Sequence, residues 1–389
     1  MSRGPLAGLR IVEFSAFVAA PLAGMTLAQL GAEVIRIDPP GGNIDYRRMP
    51  RAPGGDSLYW AGLNKGKKSV VLDLATKAGQ EAAQQIVCAP GPNAGILLTN
   101  LPARGWMDPA RLHALRPDLI TVRLSGNHDG SAAMDYTVNC ASGFPIATGT
   151  TREPVNHVLP AWDVAAGLYL ALAIVAAERA RRETGLGQEI KLALSDVMLA
   201  TVANLGYVAD VQINGESRGP IGNDLYGAFG RNFATADGRE LMIVAISTRQ
   251  WQAIGRATGL TEPLAMIGPM LGLDLSTEDG LFEARDAIAA VLKPWFAQRT
   301  LHEAGHALDA AGVLWGPYQD FGQLVREDPR CSTVNPLFGL VEQPGIGTLL
   351  APRSPLAFSA SGTPGPLPAP TLGADTASVL QSLAAPNKD

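Results

Sequence analysis

The chain has 389 residues, of which 47% are hydrophobic and 17% are charged, and its formal net charge at pH 7 is −5. This length suits two domains or one large interrupted domain, and the acidic balance argues against a sequence-independent nucleic-acid binder. Cys88, Cys140 and Cys331 lie far apart and form no CxxC pair, which argues against a disulfide framework or a zinc site and fits a reducing cytoplasm. The N-terminus lacks the long apolar segment of a secretion signal, so we expect a cytoplasmic protein that inserts into no membrane.

The first forty residues predict the start of a parallel sheet. Leu9–Phe14 is a short apolar run expected to form a buried strand, and Pro21 suits the first turn of a helix that continues to Leu30. Glu33–Asp38 is expected to form the second strand, and this strand–turn–helix–strand order is typical of a doubly wound sheet. The turn SAFVAA has no GxGxxG pattern, so the usual NAD fingerprint is absent. Its small side chains still let a ligand approach the backbone and the helix N-terminus.

The alternation of strands and helices continues along the first half of the chain. Further strands are predicted over residues 69–74, 94–99, 119–124 and 189–194. The loop Pro39–Gly55 carries Arg47, Arg48 and Arg51, which either neutralise phosphates or are simply solvated charges. The segment Asn100–Trp106 follows the end of a strand, where open α/β sheets bind ligands.

A long apolar segment lies in the middle of the chain. Val164–Ala177 is apolar on every face, which predicts a core helix buried on all sides, and it is too short to span a bilayer. One acid, Asp163, stands at the start of this helix. It is either an N-cap, which accepts backbone N–H bonds, or a nucleophile kept ionised by the helix dipole. The spacing alone leaves both interpretations open.

The pattern changes after residue 209, which predicts a second domain. Asp237-Gly238 between two apolar runs is a strong hairpin signal, and helical segments follow it. We therefore expect residues 210–325 to form a smaller α+β domain inserted into a large α/β domain. The large domain would consist of residues 1–209 and the returning segment 326–389.

Several motifs together resemble the family III CoA-transferases over nearly the whole chain. They are LAQLGAEVIRID, NKGKKSVVLDL, the strand end TN before LPARG, Asp163 with its apolar helix and ERARRETGLGQEIKLAL, and PTLGADT. The resemblance implies a Rossmann-like large domain made from both chain ends, a small domain between them, and an interlocked homodimer. It also places the family's nucleophilic aspartate on Asp163.

The resemblance further implies that coenzyme A binds as part of an acyl-CoA substrate, with no permanent cofactor and no metal. Its contacts with CoA would come from the first turn, from the strand ends and from the segment before the apolar helix. These residues are Phe17, Val18, Leu72, Asn100, Leu101, Met134 and Tyr136. The cations expected to hold the CoA phosphates are Arg36, Lys67 and Arg104.

The segments TNLPARGW, DYTVN and VNHVLPAWD are similar to those of family members that move CoA between the two carboxyls of one C5 diacid. Such a reaction needs donors for the second carboxylate. The candidates are Asn139, His157, Tyr226 and Arg231, although each of them has an ordinary structural role as an alternative. Intermolecular transfer to a separate acid and a catalytically silent CoA-binding protein are the competing hypotheses.

Overall fold

The computed structural model describes residues 4–102 and 104–384. The strands are β1 (Arg10–Phe14), β2 (Glu33–Asp38), β3 (Lys68–Val71), β4 (Ile96–Thr99), β5 (Ile120–Ser125), β6 (Gln188–Ala193), β7 (Phe229–Ala234), β8 (Glu240–Ala245), β9 (Leu314–Pro317), β10 (Phe338–Gln343) and β11 (Gly347–Pro352). The helices are α1 (Ala19–Gln29), α2 (Leu58–Leu63), α3 (Lys77–Val87), α4 (Pro109–Leu115), α5 (Asp135–Cys140), α6 (Phe144–Ala147), α7 (Ala161–Thr184), α8 (Leu194–Asn204), α9 (Tyr207–Asn214), α10 (Thr248–Thr258), α11 (Thr261–Leu271), α12 (Glu278–Glu283), α13 (Arg285–Ala297), α14 (Leu301–Ala311), α15 (Phe321–Glu327) and α16 (Thr376–Ala384).

A six-stranded sheet organises the larger part of the chain. Its strand order is β3-β2-β1-β4-β5-β6, and all five neighbouring pairs run parallel. The chain winds outward from β1 to β3 and then returns to β4 on the other side of β1, so the winding direction reverses between β1 and β4. The prediction of an α/β fold with a doubly wound parallel sheet is confirmed. Open sheets of this kind bind ligands at the carboxyl ends of the strands where the winding reverses.

Helices α1 and α7 pack closely against each other. Gly167 of α7 makes this approach possible, because a Cβ at that position would lie 2.8 Å from the carbonyl oxygen of Ala19 and 3.0 Å from the side chain of Leu22. A larger side chain would push the helices apart. The start of α7, with Asp163, is thereby held beside the turn that precedes α1.

The C-terminal segment returns to the same sheet. The Asp375 carboxylate accepts a hydrogen bond from the amide of Ser69, and the Thr376 hydroxyl accepts one from the amide of Val71. Val379 of α16 is buried in the core beside α3 and β3. These contacts anchor the end of the chain to the outermost strand of the sheet.

The chain divides into two compact units. The large unit contains the chain up to Gly143, Asn156–Glu216 and the chain from Pro329, and the small unit contains Phe144–Val155 and Ser217–Asp328. The small unit has an antiparallel sheet of order β7-β8-β9, whose first two strands form the expected hairpin. Segment 144–155, which the sequence placed with the first part of the large domain, joins the small unit, where the amide of Gly222 donates to the carbonyl of Gly149.

The prediction that the central helix is buried on all sides is wrong for the single chain. Helix α7 exposes Leu168, Tyr169, Leu172 and Val175, the first of them by 54% of its surface. Its composition is apolar on both faces, but only one face meets the sheet and α1. By length and composition alone, α7 could cross a membrane, and the bent pair α8–α9 raises the number of such spans in the described residues to at most two.

Candidate active site

A cavity of about 280 Å³ lies at the reversal point between β1 and β4. Its wall is formed by the turn after β1, the residue that follows β4, the end of β5, the segment leading into α5, and the first residues of α7 and α8. These residues are Phe17, Val18, Asn100, Leu124, Ser125, Gly126, Ala133, Met134, Asp135, Asp163 and Leu194. We call it the Asp163 cavity.

The turn after β1 is fixed by side chains from other elements. Asn100 accepts a hydrogen bond from the amide of Ala16 at 3.0 Å and donates one to the carbonyl of Ala16 at 2.7 Å. Phe17 has a φ of 67°, a left-handed conformation that costs a residue with a large side chain about 1–3 kcal/mol. The Asp45 carboxylate accepts the hydrogen bond from the Phe17 amide at 3.1 Å and holds it in this conformation. The turn is therefore pre-organised at the cavity wall.

Behind this turn lies a buried network of charges. The Arg36 guanidinium donates to Asp38 at 2.9 and 3.0 Å and to Asp45 at 3.2 Å, and the Lys67 ammonium pairs with Glu13 at 2.8 Å. Burial would lower the pKa of Arg36, but its three carboxylate neighbours outweigh burial and raise it. Burial lowers the pKa of Lys67 to about 8, against the opposing attraction of Glu13.

Arg36 and Lys67 were expected to bind the CoA phosphates, and the structure gives them a different position. They are 1% and 5% exposed, and their donors are directed to protein oxygens. A cation enclosed in this way does not reach a phosphate in solvent. Since Arg36 also donates to the carbonyl of Ser15 and to Asp45, it supports the turn after β1 instead.

Asp163 is the third residue of α7 and does not cap it. The N-cap position is Pro160, and no described residue donates a hydrogen bond to the Asp163 carboxylate. The capping acceptor is Asp135 of α5, whose Oδ2 accepts hydrogen bonds from the amides of Trp162 at 2.8 Å and Asp163 at 3.0 Å. Because one carboxylate satisfies the helix end, the other remains available for chemistry.

Burial raises the pKa of Asp163 from its ordinary value of 3.8 to about 6, and repulsion by Asp135 contributes to the increase. A carboxylate attacks a carbonyl only in its ionised form, and Asp163 reaches that form only as the pH rises through about 6. The stability of the fold depends on pH in the opposite direction, because the raised pKa of Asp163 favours the folded protein at low pH. The folded protein binds this proton more tightly than the unfolded chain, which favours folding below pH 3.8, and this contribution is lost as the pH rises through about 6.

Replacing Asp135 by asparagine should move the acidic limb of the pH–rate profile to lower pH. The asparagine side chain keeps an oxygen for the two amides of α7 but removes the negative charge beside Asp163, so the pKa of Asp163 decreases while the larger effect of burial remains. The measurement is kcat against pH for both proteins. Asp108→Asn, which keeps the analogous cap of α4, is the matched control and should leave the limb in place. An unchanged limb in Asp135→Asn would show that the charge of Asp135 does not contribute to the pKa that sets it.

The predicted CoA contacts fall into two groups. Phe17, Val18, Asn100 and Met134 line the Asp163 cavity. The others do not: Leu72 is buried in the core with Leu101 against it, Tyr136 is 43% exposed and donates to the carbonyl of Val158, and Arg104 is exposed.

Two of the candidates for a second carboxylate, Asn139 and His157, lie in the same unit as Asp163 but not on the cavity wall. Asn139 is fully buried, and its Oδ1 accepts a hydrogen bond from the Trp162 indole at 3.1 Å and faces His157 Nε2 at 3.0 Å. Its amide nitrogen donates to Asn156. These bonds tie α5 to the segment before α7, so the two residues position the chain that carries Asp163.

The other two candidates, Tyr226 and Arg231, lie in the small unit. Arg231 forms ion pairs with Asp224 and with Asp286, the second at 2.8 Å, and the hydrogen bond with Asp224 is the main reason that its pKa is raised. Tyr226 is 51% exposed, and the Arg218 guanidinium lies 3.8 Å from the centroid of its ring. Arg231 is thus already paired with two carboxylates.

The sequence missed several wall residues, above all Asp135. A signal was present, since this acid begins the DYTVN segment and stands at the start of a short helix, where its carboxylate favours the positive helix end. What the sequence does not reveal is that it caps a different helix, 27 residues further along the chain.

The arrangement suits attack of a carboxylate on an acyl carbonyl. The Asp163 cavity combines one carboxylate without hydrogen-bond donors, a second carboxylate behind it, and the N-terminal turns of α1 and α7. The positive ends of two helix dipoles favour negative charge that develops there. No group of three or more His, Cys, Asp or Glu within residues 4–102 and 104–384 is arranged to hold a metal ion.

Comparison with known proteins identifies the family. The model of CoA-transferase family III matches residues 6–376. The chain belongs to CoA-transferase family III. It is therefore an enzyme of the class that handles CoA thioesters, and the resemblance inferred from its motifs is confirmed.

Relatives and solved structures of this CoA-transferase agree with the assignment. The chain is 52% identical over 381 residues to 2-methylfumaryl-CoA isomerase of Chloroflexus aurantiacus, covering 97% of this chain and 93% of that protein. It is 28% identical to succinyl-CoA–D-citramalate CoA-transferase of the same organism, covering 89% and 85%. The crystal structure of a CAIB/BAIF family protein from Brucella suis superposes with a TM-score of 0.80 at 26% identity, covering 98% of this chain and all of the other.

Proposed function

We propose that this family III CoA-transferase moves CoA between the two carboxyls of one diacid, converting 2-methylfumaryl-CoA (mesaconyl-C1-CoA) into 3-methylfumaryl-CoA (mesaconyl-C4-CoA). The observation that carries the proposal is the Asp163 carboxylate, which faces a cavity and is relieved of helix capping by Asp135. The relative named 2-methylfumaryl-CoA isomerase, at 52% identity, supports the choice of substrate.

The reaction proceeds through covalent intermediates on Asp163. The carboxylate attacks the C1 thioester carbonyl, the C–S bond breaks, and CoA thiolate leaves behind a mixed anhydride. The thiolate then attacks the Asp163 carbonyl, which gives an aspartyl-CoA thioester and the free diacid. The C4 carboxylate attacks this thioester, and the returning thiolate attacks the C4 carbonyl of the new anhydride. The products are the C4 thioester and the original Asp163 carboxylate, with no net proton transfer.

Coenzyme A extends from the Asp163 cavity along the carboxyl ends of the strands. Phe17, Val18, Asn100 and Met134 meet its reactive end, which is supported by their place on the cavity wall. Tyr136 and Leu101 lie at the adjoining helix α5 and strand β4. Arg104 is exposed and is the cation that we assign to the phosphates, in place of Arg36 and Lys67.

The enzyme works as an interlocked homodimer in a reducing cytoplasm. The exposed apolar face of α7, with Leu168, Tyr169, Leu172 and Val175, supports this assembly, because soluble chains seldom leave such a contiguous patch uncovered. Cys88, Cys140 and Cys331 are unpaired, as expected where thiols stay reduced.

Incubation of the enzyme with mesaconyl-C1-CoA alone should produce mesaconyl-C4-CoA, because the substrate supplies both the donor and the acceptor carboxyl. Excess ¹³C-labelled free mesaconate should leave almost no label in the CoA esters, since the diacid stays bound between the half-reactions. Liquid chromatography with mass detection measures both quantities.

Two other results would contradict the proposed isomerase activity. Rapid entry of label would mean that the diacid exchanges with solution and that the protein is an intermolecular CoA-transferase. No conversion of any CoA ester, with or without added acids, would leave only a CoA-binding protein.

A further inference from the structure

An arginine outside the described wall lies next to the Asp163 cavity. The Arg48 guanidinium lies over the ring of Phe17, 5.5 Å from its centroid, and over the ring of Tyr59 at 5.4 Å. Phe17 lines the cavity, and Tyr59 is close enough to Asp163 for that carboxylate to raise the pKa of its phenol, after burial, while Arg48 lowers it. Arg48 is thus placed at the side of the cavity that faces the Phe17 turn.

The loop around Arg48 is held firmly although its side chain is exposed. The Arg48 amide donates to the carbonyl of Asp45, and its own carbonyl accepts from the Ser57 hydroxyl at 2.5 Å. Arg51 and Ser57 form a bridge, which closes the loop. A cation on an anchored backbone, resting on two aromatic rings, presents its N–H groups in a defined direction.

The charges at the site call for such a cation. The wall of the Asp163 cavity carries two carboxylates, Asp135 and Asp163, and its described residues include no Lys, Arg or His. A substrate with a free carboxylate adds a third negative charge. Arg48 has no carboxylate partner among residues 4–102 and 104–384, whereas Arg36 is fully paired in the buried network.

We infer that Arg48 binds the free carboxylate of the diacid while the other end of the molecule reacts at Asp163. This inference rests on the proposed function and names the residue that determines its specificity. The planar guanidinium matches a carboxylate through two parallel N–H bonds.

This assignment explains how one cavity serves both half-reactions. A trans diacid carries its carboxyls at opposite ends, so half a turn places C4 where C1 was and C1 where C4 was. With Asp163 at one end and Arg48 at the other, both orientations meet the same two groups. Between the half-reactions the free diacid carries two negative charges, and Arg48 is the group that keeps it from leaving.

The test compares wild-type enzyme with Arg48→Gln, Arg48→Lys and the neighbouring Arg47→Gln, each supplied with mesaconyl-C1-CoA and excess ¹³C-labelled mesaconate. Arg48→Gln should lower the isomerisation rate roughly 10- to 100-fold, the effect of a lost bond to a charged group. It should also raise the ratio of labelled to isomerised CoA ester, because the diacid escapes. Arg48→Lys keeps the charge but not the two parallel N–H donors. Its isomerisation rate and its label ratio should therefore lie between those of the wild-type enzyme and Arg48→Gln. Arg47→Gln removes the same charge from the loop and should leave the ratio unchanged.

The outcomes separate the inference from the proposed function. A wild-type ratio in Arg48→Gln would overturn the inference while leaving the isomerase intact, and a loss of CoA affinity instead of diacid retention would reassign Arg48 to the CoA phosphates. If the wild-type enzyme itself takes up label freely, the isomerase proposal fails. In that case the role of Arg48 is tested by the rate of CoA transfer to two added acids, mesaconate and the monocarboxylate crotonate. Arg48→Gln should lose the preference for mesaconate, and an unchanged preference would overturn the inference. If Arg48→Gln does not fold, Arg48→Lys is the test: its ratio of labelled to isomerised ester should exceed that of the wild-type enzyme, and a wild-type ratio would overturn the inference.

Discussion

Replacement of Asp163 by asparagine or alanine is expected to abolish CoA transfer, by about 10⁴-fold or more, as removal of a covalent nucleophile does in other enzymes. An amide oxygen does not form the anhydride from which the aspartyl-CoA thioester arises. The fold should persist, because Asp135 rather than Asp163 caps α7. The pKa of Asp163 is raised in the folded protein, so at neutral pH removing its charge should not lower the melting temperature. The measurements are turnover of mesaconyl-C1-CoA, CoA affinity by calorimetry, and a thermal melt.

The matched control is Asp196→Asn. Asp196 is the third residue of α8, as Asp163 is of α7, but it is exposed and does not line the cavity. The Asp196→Asn variant should retain full activity. Hydroxylamine added during turnover should label Asp163 in the wild-type enzyme, and substantial residual activity in Asp163→Ala would refute the nucleophile assignment.

Replacement of Arg36 by methionine should reduce the free energy of unfolding by about 3–5 kcal/mol, the usual consequence of removing one partner from a buried ion pair. Asp38 and Asp45 would lose their shared cation in an interior site that is 0–1% exposed. Activity should also decrease at temperatures where the variant is folded, because Asp45 no longer holds the Phe17 turn firmly. Denaturant unfolding followed by circular dichroism measures the first effect.

Arg179→Met is the control, because Arg179 forms an exposed pair with Glu183 one helical turn away. Such pairs contribute about 0–1 kcal/mol, so its stability should be nearly unchanged. If Arg36→Met were as stable as Arg179→Met but bound CoA weakly, the sequence-based assignment of Arg36 to a phosphate would be correct after all.

The parts of the fold that local pattern controls could be predicted from the sequence. Glu33–Asp38 has the predicted ends, because its run of β-branched residues marks them clearly. Residues 194–214 form two helices, α8 and α9, because Gly206 adopts a φ of 85° between them. The composition of α7 predicted burial, but composition does not distinguish a face that packs within the chain from one left for a partner.

The site was predictable where it follows from topology and not where it depends on side-chain geometry. Phe17, Val18 and Asn100 lie at strand ends, and the sheet order brings those ends together. Arg36 lies on a strand whose residues from Val34 to Asp38 are all buried, yet nothing local indicates that Asp38, Asp45 and Glu13 surround it. Asp135 acts across 28 residues of chain on the Asp163 amide, a relation that no spacing rule reveals.

Asp135 caps α7 and Asp163 does not, so residue 163 can be substituted in protein engineering without loss of the helix cap. An acid that caps a helix stabilises the fold, so changing a reactive acid in that position would alter folding and chemistry together. Here the hydrogen bonds that start α7 come from another helix. Selection, natural or in the laboratory, can therefore exchange the side chain at residue 163 for a thiol, a hydroxyl or a longer carboxylate without rebuilding the hydrogen bonds that start α7.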